Sequence, residues 1–405
     1  MAITAAPDRS QSPGTPSADP REILIRVREC LPDLPGNIAL HEPRFHGRER
    51  EYVGKCIDST WVSYSGAYVT RFETALAERT GSAAAVAVSN GTVALQLCLQ
   101  LAGLERDDEV LVPALTFVAS ANAIVHAGGI PHFVEVDDTT FGIDADKLRS
   151  YLENIALRRS ASCINRATGR RIAAVLPVHV FGHPVDMDEL NRAADEFGLK
   201  VVEDAAEALG SLYKGRACGS LASLAALSFN GNKVVTTGGG GAILTSDPLI
   251  AERARKLTTT AKRPHRWAFA HDEVAYNFRL PNINAALGLA QLEMLDSVLA
   301  AKKRLWARYC AAFKDLPGLT VFRDAPFAES NHWLVALVLD QSDPILLEKI
   351  LVTLNDAGIG ARPAWTPMHQ LPMYERSPRM QLPITESLAT RIVNLPSSAF
   401  LAPEP

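Results

Sequence analysis

Ser228-Phe229-Asn230-Gly231-Asn232-Lys233, followed by four glycines from Gly238 to Gly241, is the most informative stretch of the chain. One strand earlier, an apolar run ends in Val202-Glu203-Asp204-Ala205-Ala206-Glu207. Both read as strands that run out into polar turns, and in an open α/β sheet ligands gather beyond the carboxyl ends of strands. A buried carboxylate followed by a lysine in a hydroxyl-rich turn is what pyridoxal phosphate chemistry needs. The lysine forms a Schiff base with the cofactor aldehyde, and the carboxylate keeps the pyridine nitrogen protonated so that the ring accepts electrons. Alone, either would read as a surface lysine or a helix-capping acid. Their order, spacing and flanking residues favour the cofactor.

Working outward, strands and helices alternate. Short apolar strands are expected at 85–88, 109–113, 131–136, 172–178, 200–203, 225–229 and 241–245. Most are apolar on both faces, which predicts a largely parallel sheet covered by helices on both sides. The glycines before residue 241 allow that strand to return antiparallel. Helices are expected at 21–31, 48–59, 69–80, 93–102 and 186–197. A long one is expected over 280–313, with Pro281 in its first turn. A smaller α+β region follows, with a strand at 332–340 and helices at 344–357 and 385–393. The segment 154–171, rich in arginine, reads as a surface loop or insertion. The division expected is a tail over 1–20, a large cofactor-binding domain over 21–310 and a small domain over 311–405.

Composition excludes several classes. The 405 residues are 47% hydrophobic and 21% charged, with a net charge of −4, so there is no basic footprint for nucleic acid. Six scattered cysteines contain no C-x-x-C pair and fit a reducing cytoplasm. No apolar run reaches membrane-spanning length. Residues 1–20, rich in Ala, Ser, Pro and Asp, read as a disordered tail without a signal-peptide core.

Further strand-end groups join the first two. Asn90-Gly91-Thr92 opens a helix, where backbone N–H groups and a hydroxyl can bind a phosphate, although an ordinary helix cap is the commoner use. Phe117 follows the next strand and can stack on a flat ring, although core packing is commoner. Ser228 can hold the cofactor phosphate while Lys233 reaches the aldehyde. Two decoys fall away. The glycine run sits between a turn and a strand, unlike a dinucleotide loop, which joins strand to helix. His41-Glu42-Pro43-Arg44-Phe45-His46 has the wrong spacing for a zinc helix, and Pro43 opposes a helix, so no metal is expected.

From about residue 38 onward the chain resembles the DegT/StrS-type sugar aminotransferases, enzymes of the aspartate aminotransferase-like fold type I. The likeness rests on Trp61-Val62-Ser63-Tyr64-Ser65-Gly66, Ser89 to Thr92, Pro113 to Asn122, Val178 to Pro184, Glu203 to Glu207, Ser228 to Gly241, Tyr276 to Arg279 and Trp365 to Tyr374. The resemblance implies that Lys233 is the Schiff-base lysine and proton shuttle, and that Asp204 pairs with the pyridinium nitrogen. It implies that Phe117 stacks on the ring and that Gly91, Thr92 and Ser228 hold the phosphate. Glu207, where the family often has Gln or His, would stand near the cofactor's phenolic oxygen. Asn277 would reach the phosphate of a neighbouring subunit, which implies a homodimer with shared sites. Trp365 and His369 are candidate sugar contacts, with a structural role in the small domain as the alternative.

The implied reaction moves an amino group from glutamate to the keto carbon of a nucleotide-linked sugar in surface-glycan synthesis. Some relatives lack the lysine and dehydrate instead; Lys233 is present. His41-Glu42-Pro43, the turn before Lys233 and Thr258 to Lys262 most resemble the branch that aminates C4 of UDP-4-keto-6-deoxy-N-acetylhexosamines. GDP-perosamine synthases are the alternative within the same class, and a cofactor-binding regulatory protein without turnover is the alternative outside it.

Overall fold

The computed structural model describes residues 18–159 and 162–402; most of the expected tail lies outside the described residues. The main sheet runs Ala84–Val88, Gly241–Thr245, Leu224–Ser228, Lys200–Asp204, Arg171–Val175, Glu109–Pro113, Ile130–Val134 across its width. All neighbours are parallel except Gly241–Thr245, which lies antiparallel between Ala84–Val88 and Leu224–Ser228. This is the mostly parallel α/β sheet expected. Alternate residues face opposite cores, as a two-sided strand requires. Val86, Val110, Val202 and Ile243 join one buried cluster, and Ala85, Leu111, Ala225 and Leu244 the other.

A second, antiparallel sheet is ordered Leu319–Val321, Val335–Leu339, Ile392–Leu395, Arg362–Pro363. Its core includes Leu305, Tyr309, Leu337, Ile350 and Val393. The first described helix, Pro20–Cys30, buries Ile23, Val27 and Cys30 in this same core, so it packs with the second sheet and not with the main one.

Four elements differ from expectation. Residues 280–313 form two helices, Asn282–Glu293 and Leu295–Ala312, with axes 58° apart. The first half is tied to the helix Glu49–Asp58: Gln291 donates to Glu49 at 2.6 Å, and Tyr52 donates to Glu293 at 2.7 Å. The second carries Leu305 and Tyr309 into the smaller core, and one straight rod cannot serve both. The arginine-rich segment holds an antiparallel hairpin, Ala156–Arg159 with Ser162–Asn165, which pairs with Arg171–Val175. Within it Cys163 and Asn165 are buried while Ser162 and Ile164 are less so, a strand alternation diluted by the basic residues around it. The last helix stops at Ala389, and Ile392–Leu395 is instead a wholly buried strand. The strand expected from 332 starts at Val335, because His332 adopts φ 48° and turns the chain before it.

Candidate active site

The carboxyl ends of the main strands open into a cavity of about 710 Å³. Gly91, Thr92, Phe117, Asp204, Glu207, Ser228, Lys233 and Trp365 all line it. Apart from Trp365, which comes from beyond the second sheet's Arg362–Pro363 strand, these residues converge because the main-sheet strands that precede them end on the same side.

At one end, the helix Gly91–Leu101 points its first turn at the cavity, and Asn90 caps it by accepting from Val93 N–H at 2.9 Å. Gly91 must be glycine: a Cβ there would lie 2.8 Å from Ser228 Cβ and 3.2 Å from its Oγ. Gly241 is equally constrained, since its Cβ would lie 2.5 Å from the Asn90 carbonyl carbon. This close approach of two strand ends brings free helix N–H groups, the Thr92 hydroxyl and Ser228 to one point, an anion cradle.

At the floor, Asp204 ends its strand wholly enclosed. One oxygen accepts from Ser120 Oγ at 2.7 Å and the other from Ala206 N–H at 3.1 Å. Burial pushes its carboxyl above the ordinary range, against the pull of those two donors and of Lys233. Beneath it, the His179 imidazole accepts from Val185 N–H at 3.1 Å, so its other nitrogen carries the proton and donates to Glu203 at 2.9 Å. Glu203 also accepts from Leu221 N–H at 2.9 Å and from Gly219 N–H. With Cys218 these groups are spaced as metal ligands could be, but the ring and carboxylate are already engaged as a brace.

Lys233 leaves its turn toward Glu207, with Nζ 3.3 Å from Oε1, and lies over the Trp333 ring, 3.6 Å from the centroid. The second Glu207 oxygen accepts from Phe181 N–H at 2.8 Å, an arrangement reached because Phe181 adopts φ 56°. Burial raises the Glu207 carboxyl as well, with Lys233 opposing. In its protonated form this carboxyl is a hydrogen-bond donor, as a Gln or His there would be. Phe117 stands at the rim, 50% exposed, with Trp365 6.3 Å away ring to ring and Phe181 4.9 Å beyond that.

Two expected site residues lie elsewhere. His369 is not in the cavity: it sits in the turn Met368–Gln370, held by Met368 N–H to Ala114 O at 2.9 Å, and its Nε2 is 3.1 Å from Glu386. Asn277 is exposed, bridged to Thr259, and does not line the cavity of its own chain. Conversely, His41, Trp333, Arg362 and Asn394 line the cavity without having been singled out as contacts. Arg362 and Asn394 are register partners on adjacent antiparallel strands, so their side chains share a face. Asn394 Oδ1 and His41 Nδ1 are buried without protein partners. Burial also holds the His41 imidazole well below its ordinary value, so it is neutral. The only early signal for these groups was the His41-Glu42-Pro43 motif.

A family model described as the DegT/DnrJ/EryC1/StrS aminotransferase family matches residues 43–405. The chain is 36% identical to GDP-perosamine synthase from Vibrio cholerae over 365 residues, 89% of this chain and 94% of that protein. It is 37% identical to GDP-perosamine synthase from Caulobacter vibrioides over 373 residues, 92% of this chain and 95% of that one. Among solved structures it resembles Helicobacter pylori PseC, an aminotransferase involved in the biosynthesis of pseudoaminic acid, with a TM-score of 0.81 and 25% identity. That match covers 90% of this chain and 94% of the other.

Proposed function

The chain belongs to the DegT/DnrJ/EryC1/StrS aminotransferase family and uses pyridoxal phosphate, and we propose that it moves an amino group from glutamate to C4 of a GDP-linked 4-keto-6-deoxy sugar. The observation that carries the catalytic reading is the convergence of Asp204, Ser228 and Lys233 on one cavity. The residues fit the cofactor. The cradle that a Cβ at Gly91 would fill suits a phosphate, and the buried Asp204 carboxylate at the floor suits a pyridinium. When bound, the cofactor supplies an electron sink that stabilises a carbanion next to the amino-bearing carbon.

The chain's own groups do the rest. Gly91, Thr92 and Ser228 would hold the phosphate. Asp204, oriented by Ser120 and Ala206, would hold the ring-nitrogen proton. Phe117, at the rim, would pack against the ring. Lys233 Nζ would bind the cofactor and move the proton at the substrate carbon in both half-reactions. Asn277, which does not line the cavity of its own chain, would serve the site of a second copy. The exposed apolar side chains of Trp267 and Phe269, upstream of Asn277 in the chain, and of Trp61 and Tyr64, on the segment whose backbone accepts from Asn282 and Ile283 N–H, support such a homodimer.

Preference for a GDP sugar over the UDP-linked N-acetylhexosamine suggested by the turn motifs is supported by the two GDP-perosamine synthases, each similar along most of its length. The test is to offer UDP-, GDP- and dTDP-linked 4-keto-6-deoxy sugars with glutamate and detect the aminated sugar by mass spectrometry. Amination of the GDP sugar is expected. Turnover of the UDP-N-acetylhexosamine with none of the GDP sugar would reverse the substrate assignment.

A further inference from the structure

Lys233 has a second contact that the roles above leave unused. We propose that Trp333 is a positioning residue for Lys233: its indole face seats the amine whenever that amine is not joined to the cofactor. The proposal rests on reading Lys233 as the cofactor lysine.

The Nζ atom lies 3.6 Å from the Trp333 ring centroid, well inside the range at which a ring face attracts an N–H-bearing cation. The indole is almost wholly buried, so water competes little for this contact. Its own position is fixed at three points. The indole N–H donates to Asn232 O at 2.7 Å, which ties the ring to the residue preceding the lysine. The Trp333 backbone N–H donates to Asn331 Oδ1 at 2.8 Å, and Asn331 Nδ2 donates to Glu207 O at 2.8 Å. Asn331 therefore ties together the backbones of Glu207 and Trp333, the two residues whose side chains meet the amine. The Trp333 carbonyl accepts from Ser397 Oγ at 2.7 Å and from the buried Lys302 Nζ at 3.3 Å.

The chemistry gives this seat a purpose. A lysine released from the cofactor is a flexible four-carbon chain, and proton transfer requires its nitrogen to stay aimed at the reacting carbon. A carboxyl on one side and a ring face on the other restrict that freedom. Trp333 itself makes and breaks no bond.

Trp333→Leu and Trp333→Phe in the full-length enzyme separate the ring face from the indole N–H, since Phe keeps the first and loses the second. Leu should lower kcat roughly three- to thirtyfold with the sugar KM unchanged, and Phe should recover most of it. A readout independent of turnover uses the cofactor-free protein, reductively methylated with ¹³C-formaldehyde. The Lys233 methyl signal, identified by its loss in Lys233→Ala, should be shifted upfield by the ring in wild type and Trp333→Phe, and should move to the ordinary lysine position in Trp333→Leu. A kcat for Trp333→Leu within roughly twofold of wild type overturns the proposal. So does a methyl signal that does not move between wild type and Trp333→Leu. Failure of the cofactor-lysine reading would show separately, as normal turnover by Lys233→Ala.

Discussion

The floor of the cavity and its far wall follow different rules. On the floor, Asp204 and Glu207 come from the Lys200–Asp204 strand end, and each carboxylate oxygen already has a protein partner. On the wall, Arg362, Asn394 and Trp365 come from the second sheet and its connections, His41 comes from the extended segment before the second helix, and buried atoms of Asn394 and His41 lack partners. A satisfied polar group is held in one geometry, whereas an unsatisfied buried one at a cavity wall can pair with water or with a ligand. The floor therefore reads as the place where chemistry is fixed and the wall as the place where a substrate completes the hydrogen bonding. Floor substitutions should act on kcat and wall substitutions on KM.

The largest break should come from Lys233→Ala, which removes the covalent anchor and the acid–base group together. Turnover should fall by at least the roughly 10²–10⁴-fold that general acid–base help alone supplies, measured as glutamate-dependent sugar amination. Near-normal rates would place the proton transfer elsewhere.

Asp204→Asn comes next, and its sign differs between two assays. Both half-reactions should slow by about two orders of magnitude, because the charge that holds the ring-nitrogen proton is gone. The cofactor-free protein should become more stable. Burial raises the folded Asp204 carboxyl above its unfolded value, so the fold binds that proton more readily than the unfolded chain does. The carboxylate therefore leaves stability intact below its ordinary value of about 4 and reduces it progressively as the pH rises from there toward the raised folded value. Thermal melts of cofactor-free wild type and Asp204→Asn should diverge over that window, with the variant higher by about 1–2 °C near neutrality. Melts that coincide would mean the carboxylate's burial carries no net penalty.

Asn277→Ala should weaken the cofactor roughly ten- to a hundredfold, the worth of one hydrogen bond to a charged phosphate. Mixing Lys233→Ala chains with Asn277→Ala chains sharpens this. If Asn277 acts across a dimer, both defects fall in one site and the mixed species keeps about half of wild-type activity at limiting cofactor. Activity that stays low would put Asn277 in its own chain's site. The smallest effect is expected on the wall: Asn394→Ala should raise the sugar KM about three- to tenfold with kcat unchanged. A loss confined to kcat would erase the distinction between floor and wall.

Legibility in the sequence follows the same division. Asp204 and Lys233 could be read because each sits at the end of an apolar strand in a short polar motif, so local pattern and tertiary position coincide. Phe117 and Gly91 were legible for the same reason. Trp333 and Asn394 were not. Asn331-His332-Trp333 reads as the start of a strand until the backbone reversal at His332 is seen, and Ile392–Leu395 reads as the end of a helix. Asn394 meets Arg362 only through a register set by long-range pairing. His369 shows the reverse: its conspicuous local motif suggests a contact, whereas its turn faces Glu386 and it does not line the cavity of its own chain. The bend between Glu293 and Leu295 was equally invisible, since helical residues continue through it and only the two cores it serves require the change of direction.

The central claim, that Lys233 carries the cofactor and passes an amino group from glutamate to a sugar, is tested most directly by the visible absorption spectrum of the purified enzyme. Wild type should be yellow, should bleach when glutamate is added alone, and should regain its colour when the GDP-linked 4-keto-6-deoxy sugar follows, while Lys233→Ala should lack that starting band. A wild-type protein that takes up no cofactor, or a band that glutamate leaves unchanged, would contradict the account.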